Sequence, residues 1–265
     1  APADDAPVVL ALDGVGRVFL RGRQRTAAVA GVDLEVKAGE ALGIAGRTGC
    51  GKTTLARLMA GHLAPTSGQV RVEGRDAGEG PAAERRLRRR RVQMLFQDPG
   101  SSLNPRRTIG EALAEATGGA GGDPGARLTE GGLDPGTVDL YPHQLSGGQR
   151  QRAALARCLA ARPSVVIADE PTSALDHEAR DRMLDLLAAV RRDEGAATVV
   201  ISHDLGVLER SCRRIAVMLE GVIVEIYPVG GDGPRHPYAR ELWVSSPAAL
   251  RGRDEPWGDS GSLGD

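Results

Sequence analysis

A chain of 265 residues can form one large α/β domain or two small ones and can bury a sizeable core. Aromatic residues make up 3% and apolar residues 41%, so that core must be built mainly from Leu, Val, Ala and Ile. A net charge of −1 argues against nucleic acid as the main partner, and no apolar run approaches the ~18 residues that span a bilayer. The cysteines, Cys50, Cys158 and Cys212, are widely spaced and form no C-x-x-C pair. That pattern is expected of a reduced, intracellular chain without a zinc or iron–sulfur framework. With no signal-peptide pattern at residues 1–5, the expected setting is soluble and cytoplasmic. Lysine occurs only as Lys37 and Lys52, and arginine supplies the remaining positive charge.

Residues 1–7 are expected to be a disordered leader. Residues 8–12 and 17–20 read as two strands, 22–25 as a basic turn, and 32–36 as a half-exposed strand with apolar residues at period two. Together they predict a small antiparallel sheet. The apolar run 41–45 predicts a buried strand. Gly46, Arg47, Thr48, Gly49, Cys50, Gly51, Lys52 and Thr53 then fit the pattern G-x-x-x-x-G-K-[ST]. Thr54 opens a helical stretch with Leu55, Leu58 and Met59 on one face. Strand, glycine loop and helix form the context in which this pattern cradles phosphates: backbone N–H groups turn inward and the helix N-terminus faces the anion. Lys52 suits a β/γ-phosphate and the Thr53 hydroxyl suits Mg²⁺.

Residues 69–73 predict another strand. Residues 82–91 carry six arginines, which fit either a nucleic-acid patch or a solvated helix face. The near-zero net charge and the absence of interleaved aromatics favour the solvated face. A strand at 92–96 ends at Gln97, residues 109–116 predict a helix, and the Gly- and Pro-rich stretch 118–136 predicts a flexible excursion. Ser146 is placed to cap a helix over about 148–161. Strands at 165–168 and 198–201 alternate with a helix over 178–192 and another reaching about Arg213. A hairpin is expected at 215–226 and a loose tail from about Ser245. Alternation of strands and helices in the second half predicts a mostly parallel sheet with helices on both faces.

Ligands of parallel sheets gather at the carboxyl ends of the strands. Gln97, Asp169, Glu170 and His203 all stand at such ends, and this coincidence points to a nucleotide hydrolase. Asp169 suits a magnesium ion, directly or through water, and Glu170 suits a general base acting on water. On position alone, His203 fits a structural role as well as it fits a γ-phosphate contact, and Gln97 alone says little. Leu145, Ser146, Gly147, Gly148 and Gln149 form a second anion site at a helix N-terminus. One nucleotide needs only one such site at its γ-phosphate, so the second is expected to serve another subunit's nucleotide.

These residues, in this order, resemble the ATP-binding subunit of an ATP-binding cassette (ABC) transporter, over roughly residues 8–242. Gly46 to Thr53 matches the family's Walker A loop, Gln97 its Q-loop, and Leu145 to Gln149 its signature. Residues 165–169 match Walker B with Glu170 as the catalytic glutamate. Residues 173–176 match the D-loop, His203 the switch histidine, and Phe19 the aromatic that stacks on adenine. The resemblance implies an α/β fold: a P-loop NTPase core with a mostly parallel sheet, a small antiparallel subdomain and a helical subdomain over about 98–162. One domain over 8–244 and a flexible tail over 245–265 complete it. It implies ATP and Mg²⁺ as cofactors. Glu170, His203, Gln97 and Lys52 would act in catalysis. Thr53, Gln97 and Asp169 would hold the metal, and Phe19, Gly46, Thr48, Gly49, Cys50, Gly51, Lys52, Thr53, Thr54, Ser146, Gly148 and Gln149 the nucleotide.

Residues 96–106, 141–144 and 234–238 resemble the dipeptide/oligopeptide/nickel importer branch, and residues 66–68 and 147–152 its second ATPase. This implies an ATPase powering solute import at the cytoplasmic face of a bacterial membrane. Its partners would be a second ATPase (paralogue or self) in a head-to-tail dimer, two permease subunits, and indirectly an extracytoplasmic solute-binding protein. The rival reading is a non-transport ABC ATPase of DNA repair or translation. Only residues 54–145 separate the phosphate loop from the signature, too few for a repair enzyme's long coiled coil, and one cassette is present where translation-type members usually carry two. A regulatory module without turnover is disfavoured by Glu170 and His203. Two departures stand out. Residues 111–141 are short and glycine-rich where the family has helices, and Cys50 stands where the branch commonly has serine, which places a thiol open to oxidation or alkylation in the phosphate loop.

Overall fold

Three strands buried along their whole length, β3 (Ala41–Ala45), β7 (Val165–Asp169) and β8 (Ala197–Ile201), form the centre of the molecule. The computed structural model describes residues 5–22, 24–95, 103–117, 123–173 and 176–245. β3 pairs in parallel with β8 and with β9 (Arg214–Leu219), and β7 pairs in parallel with β8 and with β6 (Val92–Leu95). β10 (Val222–Pro228) closes one edge antiparallel, giving the order β10-β9-β3-β8-β7-β6. A second, antiparallel sheet runs β2-β1-β4-β5 over Gln24–Lys37, Val8–Arg21, Ser67–Val72 and Arg75–Asp76.

Side chains alternate across a strand, so each central strand feeds two cores. Leu42, Ile44, Val165, Ile167, Val199 and Ile201 point to one side, where they meet Leu55 and Met59 of α1 (Lys52–Met59) and Leu10, Leu12 and Val32 of the antiparallel sheet. Ala41, Ala45, Val166, Ala168 and Val200 point to the other. There they meet α5 (Gly147–Ala160), α6 (His177–Glu194) and α7 (Leu205–Ser211) through Leu155, Leu159, Leu187 and Leu208. Three more helices are α2 (Ala82–Arg91), α3 (Ile109–Thr117) and α8 (Pro237–Val244).

The structure departs from the sequence reading in several places, among them β2, which runs unbroken over Gln24–Lys37 where a basic turn at 22–25 and a strand only at 32–36 were expected. The strands expected at 8–12 and 17–20 are one strand, β1, carried across the glycines by bulges between Leu12 and Arg17. The glycine-rich stretch 118–136 is not an unstructured excursion where it is described, because α4 spans Pro124–Glu130. Asp123 caps it through the Gly125 N–H, Pro124 starts it, and Leu128 and Leu133 are buried against α3 and α5. Two leucines with a cap and an N1 proline outweighed the glycine content that suggested a loop. Another departure is α8, for which the sequence reading had no element and which is also started by a proline at N1. On α2, Arg88 pairs with Glu84, Arg91 with Glu73, and Arg85 donates to the Gly80 carbonyl, so part of its charge is spent on neighbours. The expected leader and tail lie largely outside the described residues, as do positions 118–122.

Leu128 is fully buried between three helices. Leu128→Ala is expected to lower stability by about 2–5 kcal/mol. Chemical denaturation reads this directly, and a loss below about 1 kcal/mol would mean that α4 is not part of the cooperative core.

Candidate nucleotide site

The site is built where β3, β7 and β8 end level. Strand pairing runs to Ile44↔Ile201 and Asp169↔Ile201. Two backbone bonds extend it, from Glu170 N–H to the Ile201 carbonyl (2.9 Å) and from Ser202 N–H to the Ile44 carbonyl (3.2 Å). The phosphate loop, the two acidic residues and His203 therefore leave the sheet side by side.

The loop passes from β3 into α1, whose N-cap, Gly51, provides no side-chain cap, and no acidic residue stands in the first turn. The amides of the first turn are therefore left without a side-chain partner, as an anion site would require. Gly51 sits at φ 110, and a Cβ there would drive into the Ala28 carbonyl oxygen, so the position accepts only glycine. Lys52 is buried, and its ammonium donates to the carbonyls of Gly46 (2.6 Å) and Arg47 (3.1 Å). Thr48, Gly49 and Thr53 are exposed, Thr54 half-buried. Cys50 departs from the expectation of a reactive loop thiol. Its side chain is buried in the core beneath the loop, with Sγ against Gly46, while its backbone carbonyl takes the Gly221 N–H at 2.9 Å. Packing shields the sulfur, and only the backbone of Cys50 lines the loop.

Asp169 is buried and one of its carboxylate oxygens, Oδ1, has no hydrogen-bond partner. Burial raises its pKa above the usual carboxylate value, a hydrogen bond from Thr53 works against that rise, and neighbouring Glu170 adds to it. Glu170 adopts a left-handed backbone at φ 50, which costs a non-glycine residue on the order of 1–3 kcal/mol and is typical of functional positions. This turns its carboxylate onto His203. Nδ1 lies 2.9 and 3.0 Å from the two carboxylate oxygens, and the His203 N–H donates to Oε1 at 3.1 Å. The imidazole remains mostly exposed while the carboxylate is mostly covered. Among the described residues no cluster of three or more His, Cys, Asp or Glu side chains stands ready for a metal.

Ser146 caps α5 as expected, but in a reciprocal box. Its hydroxyl accepts the Gln149 N–H (3.2 Å), and Gln149 Oε1 accepts the Ser146 N–H (2.9 Å). Each side chain is thus engaged by the other residue's backbone amide, and neither reaches the amides of Gly147 and Gly148. A hollow lined by Ser146, Gly148, Arg152 and Asp176 opens there. It shares no lining residue with the 260 Å³ hollow beside the loop, lined by Gly46, His203, Asp204 and Leu242. The structure does not bring Ser146, Gly148 and Gln149 into the hollow beside Gly46 and His203. Phe19 is exposed at a strand end with the Arg17 guanidinium 4.9 Å from its ring centre. Gln97 lies outside the described residues, as do Ala174 and Leu175.

Sequence reasoning missed three contacts. The Glu170–His203 pair joins residues 33 positions apart. Gln151, buried in α5, donates to the Pro171 carbonyl at 2.5 Å and ties the second anion site to the turn after Glu170. Tyr238 of α8 reaches the loop, and only the Pro237 helix start hinted at an ordered element there.

Fold and site together define a P-loop nucleotide hydrolase. A family model described as "ABC transporter" matches residues 29–173, more than half of the chain. Among curated relatives, the probable peptide ABC transporter ATP-binding protein y4tS of Sinorhizobium fredii is 44% identical over 83% of this chain and 65% of its own length. The di/tripeptide transport ATP-binding protein DppF of Pseudomonas aeruginosa is 39% identical over 88% of this chain and 76% of its own length. The probable D,D-dipeptide transport ATP-binding protein DdpF of Escherichia coli is 41% identical over 87% and 74%. Among solved structures, the ATP-binding cassette MJ0796, dimeric and bound to ADP and Pi, superposes with a TM-score of 0.76 at 28% identity, covering 84% of this chain and 99% of that one. The chain belongs to the ABC transporter family, and it is an ATPase of that family. Among the described residues no helix is long and apolar enough to cross a membrane.

Gly51→Ala is expected to lose at least about 2 kcal/mol, since left-handed strain and a backbone overlap add. Thr48→Ala, on the exposed side of the same loop, should stay within about 0.5 kcal/mol of the parent. Thermal melts of the two variants side by side check this, and equal melting points would contradict the tight seat assigned to Gly51.

Proposed function

We propose that this chain powers the import of di- or oligopeptides through separate membrane subunits by hydrolysing ATP at the Lys52–Glu170 site. The observation that carries the hydrolytic part is the pairing of Glu170 with His203 beside the phosphate loop. The peptide class is supported by the names of the three relatives above.

In this reading the amides of Gly49 and of residues 51–54, at the α1 N-terminus, and Lys52 receive the polyphosphate. The Lys52 ammonium has three donors, two of them on loop carbonyls, so one remains for a phosphate oxygen. Phe19 offers its exposed ring to the base. Thr53 and Asp169 fit a magnesium ion: the Thr53 hydroxyl lowers the pKa of the Asp169 carboxyl, and one buried carboxylate oxygen is unpartnered. Gln97 is assigned to the same role by its place after β6. The ion would neutralise phosphate charge when bound. Glu170 takes a proton from the attacking water, and His203, exposed beside it, orients that carboxylate and reaches toward the γ-phosphate. Ser146, Gly148 and Gln149 of one subunit would face the nucleotide of a second ATPase subunit, head to tail. The separate hollows of this chain and the dimeric state of the solved relative support that arrangement.

The helices α3 to α5, within about 98–162, are assigned as the helical subdomain that meets the permease, at the cytoplasmic face of the membrane. A 610 Å³ hollow lined by Arg86, Arg89, Arg90, Leu103, Ala112 and Arg157 lies on that side and suits a protruding segment of another subunit. Reversing Arg89 and Arg90 to Glu together should cut peptide uptake by at least about tenfold, the scale of lost interface charge pairs. Nucleotide binding should be unchanged. Uptake assays in membranes carrying the paired permease decide this, and recovery of the native chain on ribosomes or DNA instead of membrane subunits would reject the transport reading.

A further inference from the structure

One peptide group in the phosphate loop is gripped from both sides. The carbonyl of Gly46 accepts from Lys52 Nζ at 2.6 Å. The N–H of the same peptide, carried by Arg47, donates to the hydroxyl of Tyr238 at 3.1 Å. Across a trans peptide these two groups point in opposite directions, so fixing one aims the other. Gly46 has φ 155 and no side chain to resist rotation of that peptide.

Tyr238 is itself firmly seated. It packs on the core cluster together with Leu242 and Trp243 of α8, and Ala239 beside it is buried. Trp243 Nε1 donates to Glu209 of α7 at 2.8 Å. The Glu225 carboxylate takes the backbone N–H groups of Arg235 (2.7 Å) and His236 (2.9 Å), which fixes the chain just before α8. Anchors on β10 and α7 thus hold a hydroxyl 191 residues away in sequence against the second residue of the loop.

We propose that Tyr238 is a positioning residue for Lys52. The hydroxyl holds the Gly46–Arg47 peptide in one orientation, and that peptide presents its carbonyl to the ammonium and sets it at the mouth of the loop. α8 is then part of the nucleotide site through a backbone contact alone. This inference rests on the reading of the loop as the ATP site.

Tyr238→Phe keeps the ring and removes only the acceptor. In the nucleotide-free protein, the Arg47 amide proton should exchange with solvent at least about tenfold faster by NMR, as expected when a single protecting bond is lost. Affinity for a fluorescent ATP analogue should weaken about three- to tenfold, the scale of one hydrogen bond, with the melting point nearly unchanged. In a Lys52→Ala background the same change should alter affinity less than about twofold, since the two residues act through one peptide. Unchanged Arg47 exchange would overturn the proposal, and so would an equal affinity loss in both backgrounds. If the parent chain took up no analogue, the ATP-site reading would fail, while the exchange measurement would still judge the Tyr238 contact.

Discussion

The level ending of three buried parallel strands is the constraint on which the site depends. β3, β7 and β8 are held in register by backbone bonds that continue one residue past the sheet. A slip of one residue between β7 and β8 would turn every inward side chain to the wrong core and part Glu170 from His203. The alternating cores on the two faces enforce the register: small and branched residues toward α5 and α6, larger ones toward α1 and the antiparallel sheet. Core packing and the geometry of the candidate site are thus the same requirement.

Strain and burial concentrate at the end of β7. Glu170 keeps a left-handed backbone and Asp169 keeps a buried, half-unpartnered carboxylate. Neither serves stability, and both are tolerated because the surrounding sheet is rigid. The loop side shows the complementary economy. Gly51 and Cys50 are seated against the β9–β10 hairpin and the core, and no side chain caps the helix that follows.

Much of this was legible in sequence because it is local. The phosphate loop announced itself by glycine spacing, the buried strands by unbroken apolar runs, and the α5 start by Ser146. What escaped depended on long-range contact or on a few residues outweighing composition. α4 formed in a glycine-rich stretch because Asp123, Pro124, Leu128 and Leu133 were enough. α8 formed because Pro237 started it and Trp243 found Glu209. The reciprocal bond between Ser146 and Gln149 follows a sequence pattern, S-x-x-Q, that went unread. The Glu170–His203 and Arg47–Tyr238 contacts join distant segments and carry no sequence signature.

The central claim is that Glu170, oriented by His203, is the base that activates water. Glu170→Gln keeps size and hydrogen-bonding capacity but removes the proton acceptor, so ATP turnover by the purified protein is the most direct measurement. The account predicts loss of turnover by at least about 100-fold, the scale of general-base catalysis, with ATP still bound and a dimer accumulating in its presence. Turnover within a fewfold of the parent would contradict it and remove Glu170 from the role of base.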